Sequence, residues 1–364
     1  MIVAADRPIQ RPVDARLLVV DGAGHVDEAP RADLVDILRP GDLVVANDAA
    51  TLPASLEGRH LKSGRAVEVR LAGRQSLARD EVSEFAAIVF GEGDFHIRTE
   101  NRAAPPLLVP GDRLALGPLR ATVLMTLGHP RLVRLRFDGS SDAIWAGLSR
   151  HGRPIQYAHV PEPLAIWDVW TAIAGPPVAF EPPSAGFALN WKILKAMHDR
   201  GIGFATLTHA AGISSTGDEA LDALLPFDEP YDIPATTASA IAHARRQGGR
   251  VVAIGTTVVR ALEHAAAADG SVHVGAGLAN QRIGPSSRLQ VVGAILSGVH
   301  EPGTSHYQLL RAFTDDASLE RMVVEMNAHN YRGHEFGDSV FIQAMPRVIP
   351  PPAPLRRTSQ HLPA

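Results

Sequence analysis

The sequence VVAIGTTVVRALE occupies residues 251–263. Its four leading apolar residues are typical of a buried strand, and the apolar periodicity after Gly255, Thr256 and Thr257 predicts a helix over 258–267. In such a strand-to-helix turn, the free N–H groups of the first helical turn and the threonine hydroxyls face the C-terminal edge of the sheet. This edge can therefore bind a carboxylate or sugar hydroxyls.

The same stretch also has a purely structural interpretation. Thr256 then caps the helix, and Arg260 pairs with Glu263 three residues later on the helix surface. Spacing alone does not separate this interpretation from a binding site.

Strand and helix patterns alternate in the chain on both sides of a central segment. We expect strands at 43–46 and 289–296 and helices at 191–199, from Thr236 or Thr237 to near Gly248, and at 318–327. Asn190 is expected to cap the first of these helices, and Gly201 is expected to end it. Alternation of this kind is typical of an α/β domain with a mostly parallel sheet.

The central segment, residues 59–150, has a different periodicity. Apolar and polar residues alternate with period two, as in half-buried strands, at 67–71, 95–98 and 133–137. Further apolar runs at 85–90 and 121–125 are separated by clusters of Gly, Pro, Asp and Asn. Short strands at this spacing are typical of a small antiparallel barrel or sandwich.

Charge follows the same division of the chain. Residues 59–150 contain 14 basic and 10 acidic residues, a net charge of +4, whereas the remainder contains 21 basic and 29 acidic residues, a net charge of -8. We predict a discontinuous α/β domain built from residues 1–58 and 151–348 and interrupted by a β-barrel domain at 59–150. The proline-rich tail, residues 349–364, is expected to be disordered.

Composition excludes several classes of protein. The chain is 45% hydrophobic and 20% charged, as in globular proteins. It has no cysteine, which excludes a disulfide framework, a cysteine-ligated zinc site and a thiolate nucleophile. Without a signal peptide or a long apolar run, we expect a cytoplasmic protein that does not contact membranes. Gly275-Ala276-Gly277 lacks the third glycine of a dinucleotide fingerprint, and P-loop, GxSxG and HExxH motifs do not occur.

Five short blocks carry a family resemblance. In chain order they are RPGDLVVAND with LPASL (39–56), PSAG (183–186), GTTVVRALE (255–263), VHEP (299–302), and YR with GD (331–338). Together they resemble the S-adenosylmethionine:tRNA ribosyltransferase-isomerases of queuosine biosynthesis. The resemblance spans residues 39–342 and implies an α/β domain with a small inserted barrel.

The resemblance also implies a reaction. S-adenosylmethionine is the substrate, and its sulfonium acidifies the adjacent C5′ protons, so a general base can form an ylide that expels adenine. An amine acceptor, 7-aminomethyl-7-deazaguanine in tRNA, then takes the ribosyl carbon. Methionine leaves as a neutral thioether, and the product is an epoxycyclopentanediol. This chemistry requires neither a metal nor a redox cofactor.

Site residues follow from the matching blocks. His300 is the candidate base because imidazole titrates near neutrality, and Asp338 is the second catalytic candidate. The residues expected to bind S-adenosylmethionine are Asn47, Asp48, Ala185, Gly186, Gly255, Thr256, Thr257 and Arg260. Each of these residues also has a structural interpretation. His300 can be an ordinary loop histidine. The candidate polar side chains that follow strands or lie in turns can simply stabilise those turns.

Departures from the family pattern concern the acceptor. Ala50 and Gly303 replace family arginines, and Ala188 and Thr208 replace family histidines. Three hypotheses follow: the family reaction on tRNA, a tRNA-independent reaction of S-adenosylmethionine with a small-molecule acceptor or by intramolecular elimination, and a binding protein that has lost catalysis. We expect weak tRNA binding at most.

The remaining histidines and tryptophans are given structural roles. No metal site is predicted, because the spacings of the later histidines match no ligand pattern. These histidines are His306, His329 and His334. Large apolar side chains are mostly buried, so we expect Trp167, Trp170 and Trp191 to lie in the core.

Overall fold

The structure, a computed structural model, describes residues 2–7, 14–213 and 215–345. The predicted tail at 349–364 lies outside these residues. Within them, no helix is both long enough and apolar enough to cross a membrane.

A nine-stranded sheet forms the centre of the α/β part. Its strands, in spatial order, are Gly275–Ala279, Glu229–Ile233, Gly203–His209, Leu43–Asn47, Val251–Ile254, Ala294–Gly298, Ser339–Gln343, Arg16–Val20 and Val26–Pro30. The strand expected at 289–296 thus begins five residues later than predicted. Two short parallel ladders lie outside this sheet, Val3–Ala4 with Arg332–Gly333 and Ala50–Thr51 with Pro177–Ala179.

The prediction of a mostly parallel sheet is wrong at the edges. The third to sixth strands of the spatial order are parallel, but four of the eight neighbouring pairs in the whole sheet are antiparallel. One reason is local: the short turn 21–25 joins Arg16–Val20 to Val26–Pro30, and a connection this short permits only antiparallel pairing. The sheet is therefore mixed.

Helices cover both faces of the sheet. The helices are Leu34–Ile37, Trp191–Asp199, Ala235–Arg246, Thr256–His264, Ser305–Leu310 and Asp316–Ala328, with 3₁₀ turns at Arg31–Asp33, Thr99–Asn101, Ile166–Val169 and Ser184–Ala188. Two further helices, Ser141–His151 and Glu219–Asp222, pack against the barrel core. Alternate strand residues enter two different cores: Val45 packs with Val258, and Val44 packs with Ile193. Strands covered on both faces are continuously apolar, which explains the run at 251–254.

The helix predicted at 191–199 is confirmed with its cap. The Asn190 side chain accepts the Ile193 N–H at 2.9 Å, and Gly201 has a φ of 69°. The predicted helices near 237 and 318 are confirmed as Ala235–Arg246 and Asp316–Ala328.

Six antiparallel strands close into a barrel, which confirms the inserted β-barrel. Around the barrel the strands are Leu119–His129, Leu132–Phe137, Glu84–Phe90, Ala66–Gly73, Ser55–His60 and Arg113–Leu116. In chain order, the first barrel strand begins at Ser55, before the predicted domain boundary at residue 59. The predicted domain bounds stay a prediction.

The strand expected at 95–98 is absent, and these described residues form a turn. The Asp94 side chain accepts the His96 backbone N–H at 2.9 Å. A side chain that satisfies nearby backbone competes with strand pairing, and the alternating pattern does not detect this.

Two charged side chains of the barrel strand Ala66–Gly73 are buried, although the period-two alternation predicts that they face solvent. Glu68 and Arg70 are buried, and the Arg70 Nε donates to the Glu68 carboxylate at 2.7 Å. Arg102, from the loop that covers this face, pairs with the same carboxylate. Burial opposes ionisation of Glu68, but the two guanidinium groups lower its pKa overall.

The expectation that three tryptophans lie in the core is wrong. Trp167 is 69% exposed, Trp170 is 39% exposed and Trp191 is 75% exposed. Trp191 begins a helix whose buried residues are Ile193 and Met197, so it projects away from the packed face.

Candidate functional site

A cleft of about 830 Å³ lies between the C-terminal edge of the sheet and the barrel. The strand-to-helix turn at 255–257 and the segment 297–300 line it from the sheet side, and Arg98, Thr99 and Glu100 line it from a barrel loop. This volume is typical of pockets for small molecules. The cleft is the candidate site.

The turn after strand Val251–Ile254 presents free donors to this cleft. Gly255 has a φ of 94°, which only glycine adopts readily, and it precedes the helix Thr256–His264. No side chain caps this helix, so the N–H groups of its first turn keep their hydrogen-bonding capacity. Gly255, Thr256 and Thr257 all line the cleft, as the sequence predicts.

Arg260 lies in the cleft wall but does not pair with Glu263. Its Nη1 donates to Glu229 at 2.5 Å, and its Nη2 donates to the Ala279 carbonyl at 2.9 Å. Glu263 instead accepts backbone N–H groups at 290–292. The surface pair predicted by the structural interpretation does not form, because other segments of the chain supply hydrogen-bond partners to both side chains.

The partner of Arg260 is a buried carboxylate. Burial raises the pKa of Glu229, and the ion pair with Arg260 opposes that rise. The Gly212 N–H donates to the other Glu229 oxygen at 2.7 Å. His209 lies 3.4 Å from the same side chain, and burial together with the charge of Arg260 lowers the pKa of His209 to about 3. His209 is therefore neutral.

His300 also lines the cleft, just after the strand Ala294–Gly298. Its Nε2 lies 2.9 Å from the Ser297 hydroxyl, and its ring stacks on His306 with centroids 4.6 Å apart. Burial lowers the pKa of His300 well below its usual range, and His306 and His334 add to this effect. The imidazole is thus neutral near pH 7 and can accept a proton.

His306 is a cleft residue that the sequence did not identify. Burial, and then the charge of Arg260, lowers its pKa to about 4. Its position on the short helix Ser305–Leu310 brings it against His300. Spacing gives no signal for this contact, because the intervening loop decides it.

The 3₁₀ turn Ser184–Ala188 contains two residues that were predicted to bind the substrate, and only one of them lines the cleft. Ala185 lines the cleft. Gly186 does not belong to the described lining; a Cβ built on it lies 3.0 Å from the Thr171 side chain, so this glycine serves close packing.

Asn47 and Asp48 lie beside the cleft and are not among the described residues that line it. The Asn47 oxygen accepts the N–H groups of Ala49 and His209, both at 3.0 Å, and its amide lies 3.4 Å from the Thr257 hydroxyl. Asp48 accepts the Thr208 hydroxyl at 2.7 Å. Both side chains stabilise strand ends, and Asn47 also orients Thr257.

Asp338 lies outside the described lining of the cleft. Its carboxylate accepts the backbone N–H groups of Arg16 at 2.9 Å and Arg332 at 2.8 Å, and it pairs with the Arg16 side chain. A catalytic role for Asp338 stays a prediction, and this location does not support it.

Comparison with known proteins finds relatives that match nearly the whole chain. A family model described as "Queuosine biosynthesis protein" matches residues 2–342. Relatives named S-adenosylmethionine:tRNA ribosyltransferase-isomerase include one from Geobacter sulfurreducens, 31% identical over 94% of this chain and 96% of the relative, and one from Sorangium cellulosum, 34% identical over 94% and 95%.

A solved structure shares the fold. The crystal structure of an S-adenosylmethionine tRNA ribosyltransferase from Thermotoga maritima is 20% identical, with a TM-score of 0.50, and the match covers 93% of this chain and 96% of that one. At this identity the likeness shows the fold alone. The matched family and the 31% identical relative, however, span nearly the whole chain. The resemblance carried by the five sequence blocks is therefore confirmed, and the chain belongs to the queuosine biosynthesis protein family.

Proposed function

We propose that this chain is an S-adenosylmethionine-dependent transferase-isomerase that takes the ribosyl group of its substrate and releases adenine and methionine. One observation carries this proposal. A single cleft holds both the uncapped helix start at 255–257 and the neutral base His300.

The helix start is suited to the polar end of the substrate. Its free N–H groups and the positive end of the helix dipole favour a carboxylate, and the hydroxyls of Thr256 and Thr257 can bind the methionine carboxylate or the ribose. His300 and His306, whose rings stack on each other, stay neutral because burial lowers the pKa of both imidazoles. Neutral imidazoles do not repel a sulfonium cation.

His300 is the proposed general base. Its lone pair takes a C5′ proton, and the adjacent sulfonium stabilises the carbanion that forms. The carbanion electron pair forms a C4′–C5′ double bond as the C4′–O4′ bond breaks. The freed ring oxygen then forms a carbonyl with C1′, and adenine leaves with the electron pair of its glycosidic bond and takes up a proton. The acceptor then bonds to the ribosyl carbon, and methionine leaves as a neutral thioether.

The acceptor is the open part of the proposal, and a tRNA-independent reaction is the alternative. Ala50 is 2% exposed and Ala188 is 4% exposed, so two positions where the family resemblance places polar groups are packed and apolar. Thr208 is engaged with Asp48. The remaining alternative is a binding protein without catalysis. A cytoplasmic location also stays a prediction.

One incubation separates these alternatives. The chain is mixed with S-adenosylmethionine, with and without unmodified tRNA, and adenine and methionine are measured by mass spectrometry. Release in both mixtures indicates the tRNA-independent reaction, release only with tRNA indicates the family reaction, and no release with retained binding indicates a binding protein.

Thr257→Val is expected to weaken S-adenosylmethionine binding about fivefold, because the loss of one hydrogen bond typically costs on the order of 1 kcal/mol. Isothermal titration calorimetry measures the affinity. The matched control is Thr236→Val, on an exposed helix position, which should bind as the unaltered chain does. Equal affinity of the two variants would remove Thr257 from the site.

Binding of tRNA is expected to be weak and to depend only slightly on salt. Arg70, in the barrel strand Ala66–Gly73, and Arg74, just after it, are buried and cannot reach a phosphate. Arg131 donates to the backbone carbonyls of Arg102 and Ala103. Each Lys or Arg contact to phosphate adds about 0.7 to 0.9 to the slope of log affinity against log salt. A salt series measures that slope, and tight binding with a steep slope would restore tRNA as the acceptor.

A further inference from the structure

Three side chains in the cleft wall neither give nor take a proton in the proposed reaction. They are His159, in the loop after the barrel, and His334 and Glu335, in the turn before the strand Ser339–Gln343. Each offers one ligand atom, and these atoms all lie within 4.8 Å of one another. We propose that His159, His334 and Glu335 bind a divalent transition-metal ion of the Zn²⁺ type.

Distances in the cluster are close to those of a formed site. The His159 Nε2 lies 3.4 Å from the Glu335 Oε2. Two ligands bonded at about 2.1 Å in a tetrahedral zinc site are separated by about 3.4 Å. The His334 ring lies 4.4 Å from the His159 ring, centroid to centroid, at 34°. The three donor atoms lie within 4.8 Å of one another, close enough to face one ion.

The kinds of donor select the ion. Two imidazoles and one carboxylate suit zinc and other first-row transition ions, whereas magnesium and calcium prefer sites built from oxygen atoms. Three protein ligands leave at least one coordination position open, as in catalytic rather than structural zinc sites. All three residues line the cleft, so a water molecule or an oxygen of a bound molecule can take the open position.

The state of His159 independently favours a ligand. Its Nε2 is buried and has no hydrogen-bond partner among the described residues, although the Glu335 carboxylate lies nearby. A buried polar atom whose nearest partner lies at the long distance of 3.4 Å is poorly satisfied, and a bond to a metal ion improves this. The ring also lies parallel to Tyr157, with an interplanar angle of 7°, and Tyr157 donates to Glu181. The imidazole is thus held in place beside its co-ligands.

Sequence spacing gave no sign of this site. His334 was considered only with the histidines that follow His300, and its co-ligand His159 lies far away in the chain. The site does not depend on the proposed function, because metal binding needs neither S-adenosylmethionine nor catalysis.

The test measures zinc binding by the full chain without a histidine tag. Bound metal is first removed with a chelator, and ZnCl₂ is then titrated into the protein in a calorimeter. We expect one tightly bound Zn²⁺ per chain. Changing a side chain that only supports a ligand typically costs 10- to 100-fold in affinity, so losing a ligand should cost at least about 100-fold. His159→Gln and His334→Asn test this. Asparagine suits position 334 because His334 has a φ of 65°, a conformation that asparagine tolerates.

The matched control is His198→Gln, an exposed histidine on the helix Trp191–Asp199, which should bind zinc as the unaltered chain does. Absence of tight zinc binding, or equal affinity in all four proteins, would overturn the proposal. A second measurement needs no variant: Co²⁺ added to the unaltered chain should give visible absorption bands that Zn²⁺ abolishes, and lack of these bands would also overturn it. Adenine release is assayed separately, so failure of the metal-site proposal can be distinguished from failure of the proposed function.

Discussion

Replacing His300 with alanine is expected to lower turnover of S-adenosylmethionine by roughly 100-fold to 10,000-fold, the usual contribution of a positioned general base. Substrate affinity should change little, because the lost group acts on a proton in the transition state. Adenine release measures turnover, and calorimetry measures affinity. The control is His198→Ala, on an exposed helix position, which should keep the normal rate.

The pH profile of the unaltered enzyme provides a second readout of the same base. A general base must be unprotonated, and burial lowers the pKa of His300 well below its usual range. The rate should therefore persist as the pH falls through about 6.5, where an ordinary histidine gains its proton. A fall in rate centred near that value, or a folded alanine variant with a normal rate, would show that the base is another group.

Glu229→Ala is expected to produce the largest loss of stability, about 3–5 kcal/mol, because removing one member of a buried ion pair leaves the other charge uncompensated. Arg260 is 7% exposed and its guanidinium cannot deprotonate, so the penalty cannot be avoided by a change of protonation. Chemical denaturation measures the free energy of unfolding.

Two controls separate a charge effect from simple truncation. Asp228→Ala removes the same charge one residue earlier, at an exposed position, and should change stability by no more than about 0.5 kcal/mol. The double variant Glu229→Leu with Arg260→Met removes both charges and should recover much of the lost stability, since apolar replacements of buried ion pairs are often tolerated. A double variant as unstable as Glu229→Ala would contradict this account.

Local features were predicted well because each is decided by neighbouring residues. The Asn190 cap and the helix Trp191–Asp199 depend on a side chain within hydrogen-bond reach of its own helix. The turn at Gly255 likewise depends on a buried strand followed directly by a positive φ. The strand expected at 95–98 does not form, because the Asp94 side chain accepts a hydrogen bond from the His96 backbone N–H. Hydrophobic periodicity does not take such hydrogen bonds into account.

The candidate site was predicted only in part. The block 255–260 and His300 were brought into one cleft as expected, whereas Gly186 packs against Thr171 and Asp338 binds backbone groups elsewhere. Resemblance to a family identifies positions, but it does not say which side chain faces a cavity.

The sequence by itself determined the family, the alternation of strand and helix, the inserted barrel and the strand-to-helix turn, because these depend on periodicity, capping and motif order along the chain. Only the tertiary structure decided that Arg260 pairs with Glu229, that His306 stacks on His300, and that His159 meets His334 and Glu335. These contacts depend on how loops and separate segments pack together. Their geometry depends on how the sheet and the barrel pack around one cleft, and no local pattern encodes that.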